Sequence, residues 1–209
     1  MKKVFIAVTF LINFVIFSQA VFSQKNVGKI ARHDAKDLSY GVKVGFNSST
    51  LIGSDGIASK MGFVLGAFAE IKLDPTLGIS AEALYSQQGC AYNNVTDAYI
   101  NLDYLNIPIL CNYHLPFVEG LTVKAGLQPS FPLSTNVKYK SMSDEDGFSS
   151  FDLVIPVGIS YELSIGVFLD ARFGIGILNV FDDSGTVWTI NGVDSGNNMF
   201  FQITAGYRF

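Results

Sequence analysis

Cysteine and histidine are scarce in this chain of 209 residues, with two of each, and that scarcity excludes most metal and redox chemistry at the outset. No set of these side chains has the spacing of a zinc site. Charge is thin as well: 15% of residues are charged, against 49% hydrophobic. With Lys2 and Lys3 of the leader set aside, 12 basic residues face 18 acidic ones. Such a balance offers nothing to nucleic-acid phosphates, so no nucleic-acid partner is expected. Tryptophan occurs once, and no Gly-x-Ser-x-Gly elbow is present. Long apolar runs are missing too, apart from Val4 to Phe17. That run falls short of the roughly 20 residues a helix needs to cross a bilayer.

What is present begins with that run. Lys2 and Lys3 precede it, and the small residues Ser18-Gln19-Ala20 and Ser23 follow it, which reads as a secretory signal at residues 1–23, cleaved after Ala20 or Ser23. Residues 24–39 read as a polar periplasmic tail with Lys25, Lys29, Arg32 and Lys36. From Tyr40 to Phe209 apolar residues recur with period two. Strand one carries Tyr40, Val42, Val44 and Phe46 on one face, and strand two carries Met61, Phe63, Leu65, Ala67, Ala69 and Ile71. The pattern returns in strands at 77–87, 99–114, 121–131, 151–161, 165–175 and 201–209. The predicted fold class is all-β, an eight-stranded antiparallel transmembrane β-barrel with short periplasmic turns and long extracellular loops.

Two further patterns support that class. The predicted connections alternate long and short along the chain: 48–59, 74–76, 88–98, 115–120, 133–149, 162–164 and 178–198. Aromatic residues fall at both ends of the apolar face. Tyr40, Tyr113, Tyr161, Tyr207 and Phe209 stand at the inner end, and Phe46, Phe63, Tyr85, Phe131, Phe151 and Phe201 at the outer end. Rings of this kind settle at lipid–water boundaries.

The opposite face gathers the charges: Lys43, Glu70, Lys72, Glu82, Lys124, Asp152, Glu162, Asp170, Arg172 and Arg208, five of each sign. An eight-stranded barrel is just wide enough for side chains to fill it. Charges in that space are expected to pair, because burying one alone costs several kcal/mol. Equal numbers predict a lumen charge network acting as a plug, with a narrow ion path as the alternative. Pro108, Pro129 and Pro156 interrupt predicted strands, and β-bulges are expected there. The alternation in strand four also slips between Leu102 and Leu105. Cys90 and Cys111 fall near opposite ends of their strands, so no intramolecular disulfide is predicted.

No catalytic, cofactor-binding or metal-binding residue is assigned, and no enzyme activity is expected. His114, at the inner end of strand four, reads as a polar residue of the barrel mouth. Asp144-Glu145-Asp146-Gly147 and Asp182-Asp183-Ser184-Gly185 read as solvated turns, and neither follows the calcium-loop pattern. Trp188 reads as a loop-tip or β-extension residue.

Several segments resemble the PorT-like outer-membrane β-barrel family of the Bacteroidota. They are Tyr40-Gly41-Val42-Lys43-Val44-Gly45-Phe46-Asn47, Glu82-Ala83-Leu84-Tyr85-Ser86-Gln87-Gln88-Gly89, Tyr104-Leu105-Asn106-Ile107-Pro108 and the terminal Gly206-Tyr207-Arg208-Phe209. Cys111-Asn112 departs from the basic residue often found after the Ile-Pro segment. The resemblance implies a cell outer-membrane location and insertion by the barrel-assembly machinery, with Tyr207 and Phe209 as the assembly signal. The expected role is non-enzymatic, through loop or periplasmic contacts, with a small porin-like channel as the alternative. Expected partners are outer-membrane lipid, lipopolysaccharide and an envelope protein.

Overall fold

A computed structural model describes residues 38–52, 57–92, 99–138, 151–179 and 197–209. The predicted signal peptide, nearly all of the predicted tail, both acidic loops and Trp188 lie outside the described residues. Among the described residues the fold has nine strand segments: β1 (Leu38–Ile52), β2 (Ile57–Lys72), β3 (Leu77–Tyr92), β4 (Tyr99–Asn106), β5 (Ile109–His114), β6 (Leu121–Lys138), β7 (Asp152–Glu162), β8 (Val167–Asn179) and β9 (Asn197–Arg208). β4 and β5 are two halves of one stave, since both lie between β3 and β6. β1 pairs with both β2 and β9, so the antiparallel sheet closes into an eight-stave barrel without an edge.

The register around that circuit sets the shape. Starting at Leu38, cross-strand partners run through Ile71, Ile79, Cys111, Ala125, Val157, Phe173 and Phe201 and re-enter β1 at Ser48. A stagger of this kind tilts the strands by roughly 35–45° to the axis and fixes a lumen that side chains can fill.

Alternation then sorts every stave. Tyr40, Val42, Val44 and Phe46 are exposed on the outside, while Gly41 and Lys43 between them, and Asn47 after them, are buried. Among the described residues no helix is long and apolar enough to cross a membrane, which says nothing of crossing by strands.

The strands run past the lengths the alternation predicts. β1 begins at Leu38, inside the predicted tail, and continues to Ile52. Strand takes up residues 48–52 and 57–59 of the predicted connection 48–59 and residues 88–92 of the predicted connection 88–98, because β1 reaches Ile52, β2 starts at Ile57 and β3 reaches Tyr92. Beyond the outer aromatic ring the apolar-polar alternation no longer marks one face, so the pattern ends before the hydrogen-bonded ladder does. Ile165, predicted to open a strand, lies in the turn before β8.

The proline expectation also fails. Glu82 N–H donates to Pro108 O at 2.9 Å and Ile107 N–H to Pro129 O at 2.8 Å. The register on both sides of Pro108, Pro129 and Pro156 is unbroken. Each proline removes one N–H from the ladder and inserts no residue, so the strands need not bulge. Ile107 and Pro108, where the stave pauses, are both buried. The apparent slip at Leu102 has another cause. Leu102 and Tyr104 are buried on the inner face, and the extra residue is Leu133 of β6, which lies between the partners of Asp103 and Tyr104.

Candidate functional site

The inner face of the barrel holds the residues with chemistry, and the register stacks them in layers. The lowest layer lies where the short turns are, at strand ends. His114 Nε2 is 2.9 Å from Glu70 Oε1, and its Nδ1 is 3.0 Å from Thr122 Oγ1. Glu70 also pairs with Arg208 at 2.9 Å. Arg208 reaches Glu162 at 2.8 Å and donates to Ser39 Oγ. A hydroxyl, an imidazole and a carboxylate in line resemble a hydrolytic relay. Here, however, the carboxylate is shared with an arginine and buried, so its role is to hold two cationic or polar neighbours in place.

Two phenylalanines separate this layer from the next. Phe68 and Phe168 meet edge to face, with centroids 5.3 Å apart and an interplanar angle of 86°. Lys43 Nζ lies 5.8 Å from the Phe68 ring, Lys124 Nζ 5.8 Å from Phe168, and the Arg208 guanidinium 5.2 Å from Phe68. Rings so placed favour cations at their faces while excluding water between the charged layers.

The central layer is a five-member charge cluster. Glu82 accepts from Lys43 Nζ at 2.9 and 3.0 Å and from both terminal nitrogens of Arg172 at 2.9 and 3.0 Å. Asp170 pairs with Lys124 at 2.9 Å and with Arg172 at 3.4 Å. The side chains of Lys43, Glu82, Asp170 and Arg172 are at most 2% exposed. Fork-to-fork contact of guanidinium and carboxylate is the geometry that offsets desolvation best.

Above it the lumen mixes amides with apolar groups. Asn198 donates to Gln88 Oε1 at 2.6 Å, Gln88 to Ser86 Oγ at 3.1 Å, and Asn47 to Ser86 Oγ at 2.7 Å. Leu84, Tyr104, Val154 and Phe200 fill the space around them.

Of the ten charges expected in the lumen, the structure thus brings together Lys43, Glu82, Lys124, Asp170 and Arg172 in one cluster and Glu70, Glu162 and Arg208 in another. Two are left out. Lys72 is exposed at the short-turn rim, two residues past the buried Glu70 and at the last residue of β2. Asp152 is buried in the outer layer beside Asn198, with no carboxylate hydrogen bond of good geometry. Cys90 and Cys111 sit on rungs at opposite ends of β3, opposite Ile100 and Ile79 respectively.

The inner aromatics are absent from the sequence expectations, which place aromatic residues at the two rims. A readable signal exists: each of Phe68, Phe168 and Phe200 has a glycine as its direct cross-strand partner, Gly41, Gly206 and Gly174 respectively. A Cβ at Gly206 would come within 2.3 Å of the Phe168 ring, and one at Gly174 within 2.5 Å of the Phe200 ring. The rings lie flat over the space these glycines leave.

At the rims, Tyr40 stacks near Phe209 with centroids at 5.7 Å, and Tyr207 near Phe209 at 5.3 Å. Phe63 meets Tyr85 at 5.5 Å and Phe131 meets Phe151 at 5.6 Å.

Comparison with known proteins agrees with this architecture. Residues 17–182 match the family model of the outer membrane protein beta-barrel domain. No curated protein sequence matches the chain. Among solved structures, Ail, the attachment invasion locus protein of Yersinia pestis, was crystallised with the heparin analogue sucrose octasulfate. It is similar with a TM-score of 0.54 at 12% identity, over 83% of this chain and 99% of that one. Neisserial surface protein A is similar with a TM-score of 0.50 at 13% identity, over 82% of this chain and 96% of that one. Identities this low carry the fold alone.

Proposed function

This chain belongs to the outer membrane protein beta-barrel domain family, and from that premise we propose that it is a non-enzymatic, plugged barrel of the outer membrane that acts through what its rims present. The carrying observation is the burial of Lys43, Glu82, Asp170 and Arg172 across the middle of the lumen. A through-path for ions would have to break a guanidinium–carboxylate fork there, and opening a buried pair costs about 3–5 kcal/mol. His114, held between Glu70 and Thr122, serves the inner-mouth network in this reading and not catalysis.

The finer reading keeps the resemblance to PorT-like barrels of the Bacteroidota, carried by the strand segments at 40–47, 82–89 and 104–108. Its partners are outer-membrane lipid and lipopolysaccharide, the assembly machinery during insertion, and an envelope protein met by the loops or the periplasmic rim. Ail binds a sulfated sugar in its crystal, but the acidic runs Asp144–Asp146 and Asp182–Asp183 make a polyanion a poor match here.

Planar-bilayer recording of the refolded protein tests the plug. The expected result is no steady conductance. Steady conductance that changes ion preference on neutralising Lys43 or Glu70 would instead establish the small-porin alternative. The outer face is tested separately. Val44 is 60% exposed on the outer face between Tyr40 and Phe46, so Val44→Arg should cost about 2–4 kcal/mol in lipid vesicles by urea titration. A loss near zero would mean that this face does not meet hydrocarbon.

A further inference from the structure

The three short turns at the inner rim differ in character. In the turn after β2, the exposed Asp74 carboxylate accepts from Thr76 N–H at 2.7 Å, Thr76 Oγ1 at 2.8 Å and Leu77 N–H at 2.8 Å. These bonds, the Thr76 hydroxyl's first, hold the Asp74 carboxyl below its ordinary range, so it stays ionised and belongs in water. Leu73, in the same turn, continues the outward register of Ile71.

The other two turns expose larger apolar side chains, although Glu119 is also exposed, beside Val118, in the first of them. Phe117 is 76% and Ile165 is 67% exposed, with Val118 and Leu163 exposed beside them. β6 and β7 are neighbouring staves, and Glu162 N–H donates to Gly120 O at 2.9 Å, which ties the two turns together. The patch they form is continuous with the outward apolar face, through Tyr113 and Val123 on one side and Tyr161 and Leu169 on the other. Apolar side chains left in water below a lipid-covered face are unfavourable, and a short displacement along the bilayer normal removes them from it.

We propose that the barrel sits obliquely in the membrane. The turns at 115–120 and 163–166 are immersed in the interface of the inner leaflet, while the turn at 73–76, which flanks the 115–120 turn on its other side through the His114 N–H to Thr76 O bond of 2.7 Å, stays in the aqueous periplasm. The occupant of the Phe117–Ile165 patch is lipid. Continuity with the hydrocarbon-facing surface favours it, with the exposed Glu119 holding its turn at the interface and out of the hydrocarbon.

Site-specific fluorescence in vesicles tests this on the whole barrel. Trp188 is the chain's one tryptophan, so a Trp188→Phe background gives a silent reference. Into it go Phe117→Trp, Ile165→Trp and Thr76→Trp, each reconstituted in phosphatidylcholine vesicles with or without lipid brominated near the headgroup end of the acyl chain. The expected result is blue-shifted emission, largely lost to bromolipid, at 117 and 165, with red-shifted, unquenched emission at 76. Unquenched emission at 117 and 165 overturns the proposal and leaves the patch open to a periplasmic protein. Equal quenching at all three positions overturns the oblique seating. A variant that fails to insert is recognised by its unshifted mobility on unheated gels. For such a position, the same measurement is made with a bimane label on a cysteine at that site in a Cys90→Ser, Cys111→Ser background.

Discussion

Glu82→Ala is expected to lower the unfolding free energy of the barrel by about 3–5 kcal/mol, the scale of a buried pair broken from one side. Among the described residues, Glu82 is the one carboxylate that both Lys43 and Arg172 grip within 3.0 Å. Without it, Asp170 alone faces Lys43, Lys124 and Arg172 in a layer where Lys43, Asp170 and Arg172 are buried. The measurement is urea titration of the protein folded in lipid vesicles, followed by gel mobility. Replacing Lys43, Glu82 and Arg172 together with leucine or methionine of similar volume should restore much of the loss, because no charge is then left unpaired. A loss from Glu82→Ala below about 1 kcal/mol would equal that of a surface ion pair. It would mean that water reaches the cluster, and the plugged lumen would be wrong.

Removing Phe209 is expected to reduce the folded, membrane-inserted protein to a small fraction of the full-length level while synthesis is unchanged. Phe209 is 64% exposed on the outside of the barrel, so the loss cannot arise from a core cavity. At the seam between the first and last strands, its N–H donates to Tyr40 O at 2.9 Å, and its ring meets both Tyr40 and Tyr207. One hydrogen bond and two aromatic contacts amount to about 2–4 kcal/mol. Two measurements separate the causes: heat-modifiable mobility in isolated membranes, and urea stability of the truncated protein refolded in vitro. Poor insertion with nearly normal refolding would assign Phe209 to recognition by the assembly machinery. Equal losses in both would assign it to closure of the seam. Normal insertion in cells would remove the assembly role altogether. Phe209→Tyr, which keeps the ring, should insert like the parent chain.

Both results depend on groups that a strand-by-strand reading finds separately. Lys43 and Glu82 lie on staves that are not neighbours, and Glu82 and Arg172 are 90 residues apart. Alternation says only that each points inward. Whether two inward charges meet depends on the stagger of the circuit from Leu38 to Ser48, which sets the height of every rung. Lys72 shows the limit clearly. It has the parity of a lumen residue, but the stagger leaves it at an exposed rim.

The lumen aromatics were hidden for a related reason. Phe68, Phe168 and Phe200 resemble boundary aromatics in a one-dimensional pattern. Their glycine partners identify them only once neighbouring strands are set in register.

By itself, the sequence determined the period-two division into an apolar and a polar face, the aromatic rims, and hence a barrel built to cross an outer membrane. These follow from local rules, because the pleat turns each residue toward lipid or lumen according to parity alone. Only the tertiary structure decided which charges pair, that the central prolines are passed without bulges, that Asp152 stands outside both clusters, and that the inner-rim turns differ in polarity around the ring. Those outcomes depend on distances between residues far apart in the chain. Such distances exist only after eight staves close with one particular stagger, so no local pattern can encode them.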